Sequence, residues 1–280
     1  MQTVKRWAKV IGPLPLILAL IALVGIFAAG FSYHQNITGS GIWGSFIAAF
    51  TQSILGASSW FGENYGFGII VFTILVRFVI LPLMVFQIDS MKKMQGLQAE
   101  IKVIQNKYPG KDAESRQLLM NEQQALYKEH NVRPFASMLP LLVQMPVLIA
   151  LYQAIFNSHE LRSGSFLWLE LGKHDPYFIL PVLAALFTFA SSWLSTQANP
   201  EQNTMTKVMP YIFPVIIFFT ALSVPSALSL YWVVGNIFQT VQTFILQNPF
   251  KMRKEREDAK RLEREIERKK RKARRGRKRR

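Results

Sequence analysis

One arginine stands near the middle of the apolar run VFTILVRFVILPL, which covers Val71 to Leu83. The side chain of Arg77 stays charged at physiological pH, and a charge at the centre of a bilayer costs at least ~3 kcal/mol. Arg77 must therefore face either an acidic partner or a polar, hydrated space. No Asp or Glu occurs within any of the six long apolar segments of the chain. The sequence thus favours a hydrated cavity over a buried ion pair.

Uncharged polar residues in the apolar segments could line such a cavity. Thr73 precedes Arg77 by four residues, so both lie on one face of a helix. Gln144 lies in the middle of another apolar segment. The last segment carries a stripe that falls within about 80° of arc at 100° per residue, formed by Ser229, Trp232, Asn236, Gln239 and Thr243. A shorter stripe contains Thr188, Ser192 and Ser195, with Gln197 near its end.

The depth of these stripes indicates which side of the membrane the cavity faces. In the topology derived below, both stripes occupy the middle and the cytoplasmic half of their segments. We therefore expect a groove that opens to the cytoplasm and is closed outside, whereas a channel would need polar lining throughout. Each Ser or Gln taken singly is also typical of interhelical hydrogen bonding in membrane bundles.

The apolar segments themselves predict an all-α polytopic membrane protein. Half of the 280 residues are hydrophobic, yet the net charge is +16. A bilayer core of ~30 Å needs ~20 helical residues. We predict a signal peptide or N-terminal anchor at 1–31, with small residues in FAAGFS, and five core spans at 66–87, 135–156, 176–197, 208–222 and 226–247.

Residues 32–65 form an extracellular segment in this interpretation. Within it, Ile42 to Phe61 is uncharged and could be another span. Its large apolar residues, however, fall on one helical face, which favours a helix in the membrane interface. If that helix does not span, three, eight, one and eighteen basic residues lie inside, and two, Arg162 and Lys173, lie outside in the loop at 157–175. This distribution obeys the positive-inside rule.

Two further parts of the chain are predicted to lie in the cytoplasm, besides a short loop at 198–207. Residues 88–134 predict a helical hairpin, because apolar residues step by three or four and the YPGKD sequence then breaks the helix before an N-cap at Asp112. The hairpin is either a solvated connector or a docking arm for partner proteins. The tail at 248–280 includes 18 basic and 6 acidic residues after Phe250. Such a block favours anionic lipid headgroups or ribosomal RNA.

Other function classes are less well supported by the sequence. There is no cysteine, and the four histidines are scattered, so no metal or other cofactor is expected. An intramembrane enzyme would need an acid–base or nucleophile set, but no histidine or carboxylate lies in mid-span. A small-solute transporter remains the alternative, although paired half-spans or internal repeats are not evident.

The chain resembles the YidC/Oxa/Alb family of membrane protein insertases from Trp60 to the tail. The resemblance rests on GFGIIVFTILVRFVILPL, RPFASMLPLLVQMPVLIALYQAIF and PSALSLYWVVGNIFQTVQTFILQ, together with the hairpin. It implies a five-helix core with a hydrophilic groove around Arg77, with Thr73, Gln144, Trp232 and Gln197 as neighbouring groove positions. The absence of a large outer domain resembles the short members from Gram-positive bacteria.

The resemblance also implies partners and a location. The function expected is ATP-independent insertion and folding of nascent membrane proteins in the bacterial plasma membrane, with the C-terminus in the cytoplasm. The hairpin would contact the Sec translocon or a targeting receptor. The tail would contact the ribosome and anionic lipids through its last basic residues, which are Lys269, Lys270, Arg271, Lys272, Arg274, Arg275, Arg277, Lys278, Arg279 and Arg280.

Overall fold

The computed structural model describes residues 41–110, 112–132, 139–198 and 204–248, with scattered residues between 15 and 26 and between 250 and 268. Most of the signal or anchor segment, Lys111 and the basic residues from 269 onwards lie outside this part. Within the continuous ranges the helices are α1 Gly41–Ser59, α2 Tyr65–Gly96, α3 Gln98–Lys107, α4 Ala113–Glu129, α5 Leu139–Asn157, α6 His159–Ser163, α7 Ile179–Ala198, α8 Thr204–Ser223 and α9 Ser226–Gln247.

Helix α2 is longer than the sequence predicts. It runs for 32 residues without a break, so the first predicted span and the first part of the hairpin form one helix. Pro82 lies inside it, and no glycine or further proline follows before Gly96. Asp89 and Lys93, four residues apart, form an ion pair just past the predicted boundary and support the helix there. The predicted boundary at 87/88 marks a change in composition and not in backbone structure.

The hairpin is formed by α3 and α4 and has its own small apolar core. Leu97, Ile101, Ile104, Leu126 and Val132 are buried together. Asp112 is the N-cap of α4, as predicted, and accepts a hydrogen bond from the Ser115 N–H at 2.8 Å. The bonds from Ser115 lower the pKa of the Asp112 carboxyl. Met94 at the end of α2 packs against this core, so α3 and α4 form a small packed unit that rests on the end of α2.

Helix α1 packs against α2 and α5, and its small polar residues face the protein. Thr51, Ser53 and Ser58 are buried, whereas Trp43 and Phe46 at its start are exposed. Part of the predicted apolar face is buried as well, at Phe50 and Ile54. Burial is inexpensive because each hydroxyl donates to the carbonyl four residues earlier, so no polar group is left without a partner.

Close packing of α1 on α2 depends on Gly68. A Cβ added to Gly68 would lie 1.9 Å from Ser58 Oγ and 2.7 Å from the Ile54 carbonyl oxygen. Gly68→Ala should therefore push the two helices apart and lower the free energy of unfolding by about 1–3 kcal/mol. The measurement is thermal unfolding in detergent. Gly96→Ala is the matched control, because nothing lies within 4 Å of the added Cβ; equal stability of the two variants would contradict this packing argument.

Helices α2, α5, α7, α8 and α9 form the bundle that carries the polar residues. Helix α7 packs against α8 and α9, and α9 packs against α2. Within the described residues, two helices are long and apolar enough to cross a membrane, namely α2 and residues Ile179–Gln197 of α7. Two shorter stretches, Leu142–Asn157 and Val208–Ser223, are also apolar helices.

One end of the bundle is covered by residues 157–178, which we call the loop cap. It contains α6 and an antiparallel pair of two-residue strands, β1 Ser165–Phe166 and β2 Leu169–Glu170, which the all-α prediction does not include. Asp175 is buried and accepts hydrogen bonds from the Leu180 and Tyr177 N–H groups and from Trp168 Nε1. Because of this turn, α7 begins at Ile179 and not at the predicted Pro176.

We call the end of the bundle that the loop cap covers the loop end, and the opposite end, where the hairpin is attached, the hairpin end.

Candidate functional site: a polar cavity around Arg77

Arg77 lies in the interior of α2 and points toward α9. The contact is made at Gly235, where an added Cβ would lie 2.5 Å from Arg77 Nη2. The absence of a side chain at Gly235 therefore provides the space that the guanidinium occupies. Arg77 Nε is buried and has no hydrogen-bond partner among the described residues. Ion pairs formed by the described residues do not include Arg77.

A tyrosine and a glutamine lie on the loop-end side of the guanidinium. Tyr231 precedes Gly235 by four residues, so the two lie one above the other on α9. Gln144 Nε2 of α5 donates a hydrogen bond to Tyr231 Oη at 2.8 Å. Tyr231 is almost fully buried. This bond joins α5 to α9 next to the charged group of α2, so three helices meet at one polar cluster.

A cavity of about 310 Å³ surrounds this cluster. Side chains from α2, α5, α7, α8 and α9 line it. Among the described residues of the lining, Arg77 carries the charge. The lining consists of Arg77, Ile80, Met84, Val143, Gln144, Thr188, Phe213, Ile217, Trp232, Asn236 and Gln239. The polar atoms are thus concentrated on α2, α5, α7 and α9, while α8 contributes apolar side chains.

Hydrogen bonds between α7 and α9 fix the wall opposite α5. Asn236 Nδ2 donates to Thr188 Oγ1 at 2.6 Å, and the Thr188 hydroxyl donates in turn to the Ala184 carbonyl at 2.6 Å. Asn236 therefore has two roles, since its amide joins α7 to α9 and also faces the cavity. Interhelical bonding explains part of the predicted polar stripe, as expected for membrane bundles.

A second cavity of about 350 Å³ continues toward the hairpin end. It shares Phe213 and Gln239 with the first cavity and is lined mainly by hydroxyl groups and methionines. Its lining consists of Met91, Ser191, Ser192, Ser195, Thr196, Met209, Pro210, Phe213, Gln239 and Thr243. The two cavities lie next to each other, and together they extend from Arg77 toward the end of the bundle at which the hairpin is attached.

Five of the seven predicted groove residues line the first cavity, and two do not. Thr73 is fully buried, and its hydroxyl donates to the Ile69 carbonyl within α2 at 2.6 Å. Gln197 is exposed near the C-terminal end of α7, away from the lining of either cavity. Helical spacing places a residue on a face of its own helix, but it does not determine how a hydroxyl is satisfied or how far a helix end extends past its neighbours.

Sequence reasoning did not single out Tyr231 or Gly235 as site residues. From the sequence, Tyr231 belongs to the apolar outer half of the last segment. Its side chain is an apolar ring with a single polar atom, the hydroxyl oxygen. Gly235 carries no functional group. Gly235 lies four residues after Tyr231 and immediately before Asn236, so it lies beside the polar stripe. A glycine at such a position is the only sign in the sequence that a side chain from another helix could approach the backbone there.

Comparison with known proteins bears on the whole of this site. A family model described as 60Kd inner membrane protein matches residues 56–255, a range that includes both cavities. Membrane protein insertase YidC 2 of Lactiplantibacillus plantarum is 50% identical over 254 residues, covering 90% of this chain and 90% of the relative. Membrane protein insertase YidC of Enterococcus faecalis is 50% identical over 245 residues, covering 87% and 88%.

A solved structure also resembles this fold. It is described as an active YidC insertase with the first transmembrane domain resolved, and it matches with a TM-score of 0.56 at 27% sequence identity. The match covers 73% of this chain and 47% of that chain, so the likeness extends over about half the length of the solved protein.

Proposed function

We infer that this chain, which belongs to the 60Kd inner membrane protein family, is a membrane protein insertase of a bacterial membrane. The observation that carries the mechanism below is the Arg77 guanidinium, which lies in a polar cavity without an acidic partner among the described residues. Insertion forms and breaks no covalent bond, so the site needs no nucleophile. It needs a place where a hydrophilic segment can leave water without entering hydrocarbon.

We propose that α2, α5, α7, α8 and α9 cross the bilayer as a five-helix core. At 1.5 Å per residue, helices of 19 to 22 residues are about 28–33 Å long, which matches a hydrocarbon core of ~30 Å. Helix α2, with 32 residues, is about 48 Å long and extends beyond it at the hairpin end. The positive-inside rule orients the hairpin end and the C-terminus toward the cytoplasm.

In this orientation Arg77 lies deep in the membrane. It is twelve residues from the start of α2, or about 18 Å from the loop end. The hydroxyl-lined cavity connects it to the cytoplasmic side. A hydrophilic flank of a substrate could therefore reach Arg77 through polar surroundings, and it would then have only about 18 Å left to cross instead of ~30 Å.

The substrate's apolar helix would meet the cavity between α5 and α8. Val143 and Gln144 of α5 line it on one side, and Phe213 and Ile217 of α8 line it on the other. The outer surface of α8 is apolar and exposed, with Tyr211, Ile212, Val215, Ile216 and Phe219. A substrate helix can lie against this surface while its flank enters the cavity. Transfer of that helix into lipid drives the step without ATP, since burial of apolar groups is favourable.

The test is reconstitution of the purified full-length chain into liposomes of bacterial lipids, followed by insertion of a single-span substrate with an acidic flank. Protease protection of the flank measures insertion. We expect protection to depend on the chain and to persist without nucleotide. Equal protection in protein-free liposomes would contradict the proposed function.

The basic tail and the hairpin are proposed to bring substrates to the cavity. Removal of residues 268–280 deletes 11 basic residues and no acidic residue, and should weaken co-sedimentation with ribosomes at low salt, because phosphate contacts release counterions. The matched control replaces the same basic residues with glutamine at unchanged length. Both variants should lose ribosome binding to the same extent. Unchanged co-sedimentation would leave only the anionic lipid surface as the tail's partner.

The hairpin, with its separate core, is proposed to contact the Sec translocon or a targeting receptor.

A further inference from the structure

A cationic, hydrated cavity that reaches halfway through a membrane creates a risk of ion leakage. Arg77 lowers the barrier for anions to enter from the hairpin end, and anions that continued to the loop end would dissipate the membrane potential. An open path requires polar or hydrated lining from one end to the other. The cavity must therefore end at a defined barrier, and the residues that form this barrier can be identified.

The polar lining ends at the hydrogen bond between Gln144 and Tyr231. Gln144 Nε2 lies 2.8 Å from Tyr231 Oη, and Gln144 lines the cavity with its remaining surface. Tyr231 is 1% exposed and does not belong to the lining. Its ring thus lies behind the amide and fills the space between α9 and α5 at the loop-end side of Arg77.

Beyond Tyr231 the bundle is packed with apolar side chains up to the loop cap. Ala227 and Leu228 of α9 and Leu151 and Ala154 of α5 are all at most 3% exposed. Two serine side chains lie beside them on α9, and both are buried and paired with carbonyls. Ser226 donates to the Lys173 carbonyl at 2.6 Å, and Ser229 donates to the Ala221 carbonyl of α8 at 3.3 Å. Among these residues there is no continuous polar lining, so no row of polar groups could replace the hydration shell of an ion in this region.

The loop cap holds this packed region in place. The Ala227 N–H donates to the Leu171 carbonyl at 3.1 Å, and the Ser226 N–H donates to the Lys173 carbonyl at 2.7 Å. The start of α9 is therefore tied to the cap by its backbone, one turn before Tyr231. Movement of Tyr231 away from α5 would require these bonds to break or α9 to bend.

We propose that the Gln144–Tyr231 pair is an ion seal, which closes the Arg77 cavity toward the loop end and keeps anions from crossing the membrane. The proposal rests on the proposed function in that the bundle must span the bilayer. The amide provides a polar surface that water and substrate can touch, and the phenol ring provides the bulk that blocks passage. A phenylalanine could supply the ring but would leave the Gln144 amide without its partner at the boundary.

Truncation of the ring distinguishes a seal from an ordinary core residue. Tyr231→Ala would open a void next to a polar cavity, where water can follow. Phe72→Ala is the matched control, since Phe72 is also 1% exposed and packs against Phe50 in the apolar core. An apolar void of that kind stays dry. Both variants lose an aromatic ring, but only one of them should connect the cavity to the loop end.

The experiment measures halide leakage from proteoliposomes that contain an entrapped halide-quenched dye and the full-length chain. The wild-type chain and Phe72→Ala should be as tight as protein-free liposomes. Tyr231→Ala should leak at least about tenfold faster, because a hydrated path then connects both ends, and Tyr231→Ala combined with Arg77→Ala should lose the preference for halide over potassium. A tight, folded Tyr231→Ala variant, or equal leakage from Phe72→Ala, would overturn the seal.

A second measurement is independent of leakage. The chain has no cysteine, so Leu228→Cys provides a single thiol behind the proposed seal. A membrane-impermeant maleimide should not label it from the hairpin end in the otherwise wild-type chain, and should label it when Tyr231→Ala is added. Labelling in both backgrounds would overturn the proposal. Insertion of substrate in the same liposomes is scored separately, so failure of the seal and failure of the insertase function give different results.

Discussion

Replacing Arg77 with alanine is expected to reduce insertion of substrates with acidic flanks by about ten- to a hundredfold. A hydrogen bond to a charged group contributes roughly 1.5–3 kcal/mol, and 1.4 kcal/mol corresponds to a factor of about ten. In the cavity the guanidinium has no acidic partner among the described residues, so an incoming carboxylate would be the first group to pair with its charge. The measurement is the initial rate of flank protection in reconstituted liposomes.

Two comparisons separate charge from packing in this prediction. Arg77→Lys keeps a cation and should largely preserve insertion, although it loses the planar group that lies against Gly235. A substrate whose acidic flank residues are replaced by asparagine and glutamine should be affected much less by Arg77→Ala. If Arg77→Ala slowed both substrates equally, or slowed neither, attraction of acidic flanks would not be the role of this residue.

Replacing Gly235 with alanine is expected to impair insertion of the same acidic substrates by about three- to tenfold while leaving the fold intact. This is less than the loss of a whole hydrogen bond to a charged group, because the guanidinium is displaced and not removed. The added Cβ would lie 2.5 Å from Arg77 Nη2, so the flexible end of the arginine must move. Alanine is favoured over glycine within a helix by about 1 kcal/mol. Stability and insertion should therefore change in opposite directions.

Gly96→Ala again serves as the control, because it adds the same methyl group to a helix at a place where nothing lies within 4 Å. Both variants are compared by thermal unfolding and by insertion rate. Gly96→Ala should retain the wild-type insertion rate. If Gly235→Ala unfolded at a clearly lower temperature, the contact would be a rigid packing constraint, and loss of insertion could not be assigned to displacement of the guanidinium.

The predicted groove residues lie together in the structure where side-chain chemistry determines the position of a residue. Arg77, Gln144 and Asn236 are expensive to place in hydrocarbon, so they must face the interior of the bundle, and the structure does bring them to one cavity. The assignment of Trp232 and Gln239 follows from helical periodicity on the same segment. These five positions could be inferred from residue type and spacing.

The agreement is lost where a polar group can be satisfied within its own helix. Thr73 shares a helical face with Arg77, but its hydroxyl bonds to the Ile69 carbonyl, so it need not face polar surroundings. The same bond in α1 allows Ser53 and Ser58 to be buried. Hydroxyl residues are thus weak indicators of which helical face is wet.

The sequence by itself determined that this is an all-α membrane protein with a charged residue in need of polar surroundings, because hydrophobic length and the cost of a buried charge depend only on composition and order. The tertiary structure alone decided which side chains share the cavity, that Gly235 makes room for the guanidinium, and that α2 continues to Gly96. These features depend on which helices touch and at what depth, and helical periodicity carries no information about distances between separate helices.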